Sequence, residues 1–181
     1  MWNRIQRWWD LLRLRWQGGD SESESLSFGR AIAGARLILI CLPWEYSEFR
    51  VARYVMKFFP EESQGRQVTY LIRQDFTQAL PLRTDDEVIP VEEAQRDENG
   101  KFSPEIEQQV FSRDFDAVVD MNTELDLGMA TLVQKSGAPL RIGFSGKYSH
   151  LFFNVEIQKP GRNFILESAY RDIQRLLLLD S

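Results

Sequence analysis

The sequence predicts an α/β domain, Rossmann-like and doubly wound around a mostly parallel sheet. Three observations carry this reading. Residues 35–42, ARLILICL, form a nearly continuous apolar run, as a strand covered on both faces requires. Strand-like and helix-like segments then alternate to the end of the chain, the order that builds parallel strands through helical crossovers. The length of 181 residues suits one well-cored domain with a short appendage, not two full α/β domains.

Each element follows from its own pattern. After the first strand, Phe49, Ala52, Val55, Met56 and Phe59 recur at helical spacing until Pro60 ends the segment. RQVTYLIR, residues 66–73, reads as a second strand and DEVIPV, 86–91, as a short third. EEAQRDENGK, 92–101, reads as an exposed loop. In residues 103–113, Ser103 stands at an N-cap position and Pro104 at the first helical one, which predicts a short helix. FDAVVDM, 115–121, is a strand, ELDLGMATLVQKSG, 124–137, a helix closed by Gly137, and APLRIGF, 138–144, the next strand. LFFNVEI, 151–157, reads as the last strand, and residues 163–180 as a terminal amphipathic helix.

Residues 1–17 have a different character. Trp2, Ile5, Trp9, Leu12 and Trp16 fall on one helical stripe, and four arginines face a single aspartate, a local charge of +3. Such an amphipathic helix suits the headgroup layer of an anionic membrane; docking on the domain or on a second protein chain is the alternative. Residues 18–34 contain GGDSESESLS and read as a flexible acidic linker, so the folded domain is expected over 35–181.

Composition excludes several classes. A net charge of −5 opposes nucleic-acid binding, which needs clustered cations against phosphate. One cysteine, Cys41, permits no internal disulfide, and one histidine permits no His-rich metal site. No apolar run is long enough to span a bilayer, and the N-terminus lacks a secretory signal. The expected location is the cytoplasm, peripheral on the inner face of the plasma membrane. No glycine-rich phosphate loop is present, so neither a cofactor nor an autonomous nucleotide site is expected.

Residues 115–157 resemble the N-terminal domain of glycosyltransferase family 9, the ADP-heptose:lipopolysaccharide heptosyltransferase group. Gly137, Ala138, Pro139, Arg141, Ile142, Gly143 and Phe144 match a segment of that family in order. The resemblance runs from about residue 35 to the C-terminus. It implies the acceptor-side half of a GT-B fold, with the donor-binding half missing, and a role in envelope glycan or lipopolysaccharide glycosyl transfer. The first loop departs from the family. Where the family has Ser-Ser-x-Gly-Asp, with the Asp as base, Tyr46 and Ser47 occupy the Gly-Asp positions. Glu48 and Glu45 are the carboxylates left to take that role, although Glu48 also suits a helix N-terminus with no chemistry. The resemblance therefore implies a half domain without autonomous activity, a pseudoenzyme; the alternative is a non-enzymatic, membrane-peripheral scaffold or protein-binding module.

Ligand contacts are expected at two further places. Asp120 and Asn122, with Thr123 and Glu124, end a strand where open α/β sheets bind ligands, while helix capping by Asn122 or Thr123, with Glu124 and Asp126 in the first turn, explains the same cluster. Lys147 and His150 follow the family-like strand and could meet a phosphorylated acceptor; a solvated loop is the plainer reading. Trp44 could stack on a sugar or simply pack.

Overall fold

The structure, a computed structural model, describes residues 31–56, 65–159 and 165–177. Trp2, Ile5, Trp9, Leu12 and Trp16 lie outside the described residues, as do residues 18–30 of the acidic linker and the helix end expected at Phe59 and Pro60. Residues 31–34, inside the segment assigned to the linker, form a helical turn with Ile32 buried.

Six strands make one sheet: β1 Leu37–Cys41, β2 Gln67–Arg73, β3 Glu87–Val91, β4 Ala117–Asp120, β5 Leu140–Phe144 and β6 Val155–Ile157. Their order is β3-β2-β1-β4-β5-β6 and every pairing is parallel. Among the described residues, four helices cover it: α1 Tyr46–Met56, α2 Pro104–Phe111, α3 Leu127–Lys135 and α4 Leu166–Leu177. This is the doubly wound architecture expected from the alternation of segments.

Side chains alternate across each strand, so the sheet has two apolar faces. Ile38, Ile40, Val68, Tyr70 and Val119 meet Phe49, Ala52 and Val55 of α1 and Ala169, Ile173 and Leu176 of α4 on one face. Leu39, Cys41, Leu71 and Val118 meet Ile106 and Val110 of α2 and Met129, Leu132 and Val133 of α3 on the other. Each buried Val, Leu, Ile, Phe or Met among them contributes about 1.5–3 kcal/mol by leaving water, which is what holds the layers together. Polar hooks then set the central register: the Asp116 carboxylate accepts from Arg36 N at 2.7 Å and Leu37 N at 2.8 Å, pinning the start of β1 beside β4.

From β1 the chain runs outward to β2 and β3, then returns to place β4 on the other side of β1. The loops after β1 and β4 therefore diverge from neighbouring strand ends, leaving the crevice where sheets of this order receive ligands. Cys41 and Asp120 are register partners at its floor.

The family-like segment is explained by packing. Gly137 ends α3 with φ of +71°, a left-handed position that a Cβ would strain. Arg141 donates to Phe152 O at 3.0 Å and to Ala138 O at 2.9 Å. At Gly143 a Cβ would stand 2.4 Å from the Phe153 ring. Asn154 completes the clasp, accepting from Arg141 N at 2.8 Å and donating to Pro139 O at 2.7 Å. These hooks bend residues 149–154 into a turn, so only the second half of the expected last strand pairs with β5.

Gly143→Ala is expected to force the buried Phe153 ring aside and destabilise the domain by about 1–3 kcal/mol. A urea unfolding curve measures this, and an unchanged midpoint would count against the packing account.

Candidate functional site

Two loops meet over the crevice, residues 42–45 after β1 and 121–126 after β4. Asp120 ends β4 and is only 1% exposed. Its Oδ1 accepts from Asn122 N at 2.9 Å and from Asn122 Nδ2 at 2.6 Å. The Asn122 amide, held in this way, turns its Oδ1 to Trp44 N at 2.8 Å. A buried carboxyl thus orients one asparagine, and that asparagine ties the first loop to the second. Burial lifts the Asp120 carboxyl from its ordinary 3.8 up to about 7, helped by the charges of Asp126 and Glu48 and opposed by the two Asn122 hydrogen bonds. The neighbouring Cys41 thiol is pushed up by burial and by the Asp120 charge, so it stays an unreactive SH.

Glu48 makes the second tie. It lies in the first turn of α1, where the helix dipole favours a carboxylate. Thr123 N donates to its Oε2 at 3.1 Å, and the Thr123 hydroxyl donates to its Oε1. From α4, the buried Tyr170 hydroxyl donates to Met121 O at 3.0 Å and lies 3.5 Å from Glu48 Oε2. Burial, with Glu48 nearby, drives that hydroxyl well above the ordinary tyrosine range and keeps it a donor. Glu45 is exposed, and its backbone carbonyl accepts from Phe49 N at 2.9 Å as α1 begins.

The capping expectation is corrected here. Asp126, not Asn122 or Thr123, caps α3, its Oδ1 accepting from Met129 N at 2.9 Å. Asn122 and Thr123 are used across the crevice instead, because the helix starts one turn later than the sequence pattern suggests. Ser103 stands at the N-cap position of α2 with no side-chain capping bond, leaving Pro104 to start that helix.

A third layer covers the mouth. Arg96 lies in residues 92–101, expected as an exposed loop, yet its side chain is only 7% exposed. Its Nη2 donates to both Asp126 carboxylate oxygens, at 2.7 and 2.9 Å, and its guanidinium stands 4.2 Å from the Trp44 ring centroid and 4.7 Å from that of Phe102. Arg73, at the end of β2, lies 5.6 Å from the Trp44 ring and 4.6 Å from the Phe76 ring. Trp44 therefore packs among cations rather than lining an open cleft, whereas Tyr46 remains exposed. Arg96 and Tyr170 were not signalled by sequence; a lone arginine in an acidic loop was the one available clue.

The structure brings Asp120, Asn122 and Glu48 to one crevice, with Asp120 on the α3 side of β4 and Glu48 reaching in from α1. Lys147 and His150 do not join them. Both are exposed after β5, where the Ser149 hydroxyl clasps Gly146, accepting from its N at 2.8 Å and donating to its O at 2.9 Å, and Lys147 Nζ lies 5.0 Å from the Tyr148 ring. Among the described residues, no group of three His, Cys, Asp or Glu is placed to hold a metal ion, and no helix is long and apolar enough to cross a membrane.

No family profile matches the sequence, and no curated protein matches it. Solved structures do match the fold. E. coli heptosyltransferase WaaC, with ADP-2-deoxy-2-fluoro heptose, superposes with a TM-score of 0.61 at 15% identity, over 80% of this chain and 49% of that one. A glycosyl transferase family 9 structure from Veillonella parvula DSM 2008 gives 0.59 at 16% identity, over 78% and 41%. The fold is that of glycosyltransferase family 9 structures. The chain spans about half the length of these structures or less.

Asp120 holds its proton in the folded state up to about pH 7 but only to about 3.8 when unfolded, so its contribution to stability falls as pH rises between those values. Asp120→Asn is expected to remove that dependence. Chemical unfolding of both proteins from pH 4 to 8 measures it, and parallel stability profiles would contradict the assignment.

Proposed function

We propose that this chain acts as a heptosyltransferase-like half domain in envelope glycan or lipopolysaccharide glycosyl transfer, and that it does not transfer sugar on its own. The carrying observation is the state of Glu48. A general base must have its carboxylate turned toward the acceptor hydroxyl. Both Glu48 oxygens are turned to Thr123, with Tyr170 beside one of them, and Asp120 is buried with Asn122 bonded to its Oδ1. Glu45 is exposed, with no partner group among the described residues to orient it toward a substrate. The fold likeness to family 9 structures supports the glycan setting, and Lys147 and His150 remain exposed for a phosphorylated acceptor. The same closure favours a second reading, a non-enzymatic scaffold that reuses the sheet and meets another protein chain.

Incubation with an ADP-activated heptose and a heptose-deficient lipopolysaccharide acceptor tests this directly. The expected result is no ADP release above the blank, together with acceptor binding that weakens about tenfold, or 1.4 kcal/mol, in Lys147→Ala/His150→Ala. ADP release that Glu48→Gln abolishes would overturn the inactive reading, and absent acceptor binding would favour the scaffold.

Residues 1–17 are proposed to hold the protein on an anionic membrane surface at the cytoplasmic face. In vesicle co-sedimentation, the full chain is expected to bind anionic vesicles and be released by salt, and Trp2→Ala/Trp9→Ala/Trp16→Ala to lose that binding. Equal binding by the variant would show that the stripe does not meet lipid.

A further inference from the structure

Residues 92–101 form a small loop closed on itself by its own hydrogen bonds. Asp97 Oδ1 accepts from Asn99 N and Lys101 N at 2.9 Å each, Ser103 N donates to Gln95 O at 2.8 Å, and Arg96 bridges to Phe102. Its polar hold on the rest of the domain is concentrated at Arg96 and Asp126. Its steric seat is the Gly100 carbonyl, which lies where only a glycine fits: a Cβ on Gly128 would stand 1.8 Å from that oxygen. Release of Arg96 leaves α3 intact, because Asp126 keeps its own capping bond to Met129 N. The loop can therefore leave without unravelling the helix beneath it.

What Arg96 covers gives the loop its meaning. The guanidinium lies against the Trp44 ring and saturates the Asp126 carboxylate. An aromatic ring beside a half-buried carboxylate is the pairing that recognises a sugar, the ring taking its apolar C–H surface and the carboxylate its hydroxyls. The carboxylates of Asp126 and Glu48 disfavour a phosphate at the same place. Resting on the glycan setting proposed above, we propose that residues 92–101 are a displaceable strap, and that Arg96 occupies the position on Trp44 and Asp126 that a neutral saccharide ring takes when the strap moves away.

Two variants of the full chain open the strap by independent means. Arg96→Gln removes the pin, and Gly128→Ala wedges the Gly100 carbonyl off while suiting the helix better than glycine does. Amide hydrogen exchange is expected to rise about tenfold or more over 95–102 in both, with β1, β2 and β4 as protected as in the parent. Unchanged protection over 95–102 in either variant, or exchange spreading through the sheet, would overturn the strap. The platform is read separately, in a chain whose Trp2, Trp8, Trp9 and Trp16 are replaced by Phe so that Trp44 alone emits. Titration with glucose, galactose and mannose is expected to quench Trp44 saturably for at least one of them, with an apparent Kd about tenfold lower in Gly128→Ala, because the parent is held mostly closed. No saturable change in the opened variant would overturn the saccharide platform, while the ADP-release assay would still judge the transferase reading on its own.

Discussion

Glu48 joins three parts of the chain at the carboxyl edge of the sheet. It sits on α1, receives the backbone and hydroxyl of Thr123 from the loop after β4, and lies beside the Tyr170 hydroxyl of α4. Hydrogen bonds to a charged group are worth about 1.5–3 kcal/mol each, roughly twice the neutral kind. Their position matters more than their number. They span the gap between β1 and β4, where the reversal of strand order would otherwise leave an open crevice. Asn122 repeats the device a few ångströms away, using the buried Asp120 as its anchor and the Trp44 backbone as its partner.

This closure separates fold from chemistry. The sheet order and the superposition on family 9 structures describe a scaffold, and scaffolds of this kind carry many functions or none. The stretch that most resembles the family, residues 137–144, turns out to be packing machinery: Gly143 admits the Phe153 ring and Arg141 collects carbonyl groups. Such residues report shared architecture. The first loop is where the sequence departs from the family, and beside it the Glu48 carboxylate holds Thr123 across the crevice.

The sheet was legible in the sequence because burial on both faces leaves an apolar run, and LILIC can hardly be read otherwise. Helix α1 followed from its periodic apolar side, and the end of α3 from Gly137. The site was legible only as a set of candidates. Glu48 and Thr123 are 75 residues apart and Glu48 and Tyr170 are 122 apart, so no local pattern can pair them. The capping alternative for Asn122 and Thr123 failed for a related reason: each is a competent cap by type, and tertiary partners on α1 and the first loop outcompeted the nearby helix. Residues 92–101 carry the polar composition of a solvated loop, and only the fold shows that Arg96 is drawn inward by Trp44, Phe102 and Asp126.

The central claim is that Glu48 works as a structural tie to Thr123. A double-mutant cycle with Glu48→Ala and Thr123→Ala, read as unfolding free energy, measures that tie apart from everything else either residue does. The account predicts a coupling of about 1.5–3 kcal/mol, the size of a charged hydrogen bond. Additivity within about 0.5 kcal/mol would mean that the two residues do not hold each other, and the Glu48 carboxylate would be free for chemistry.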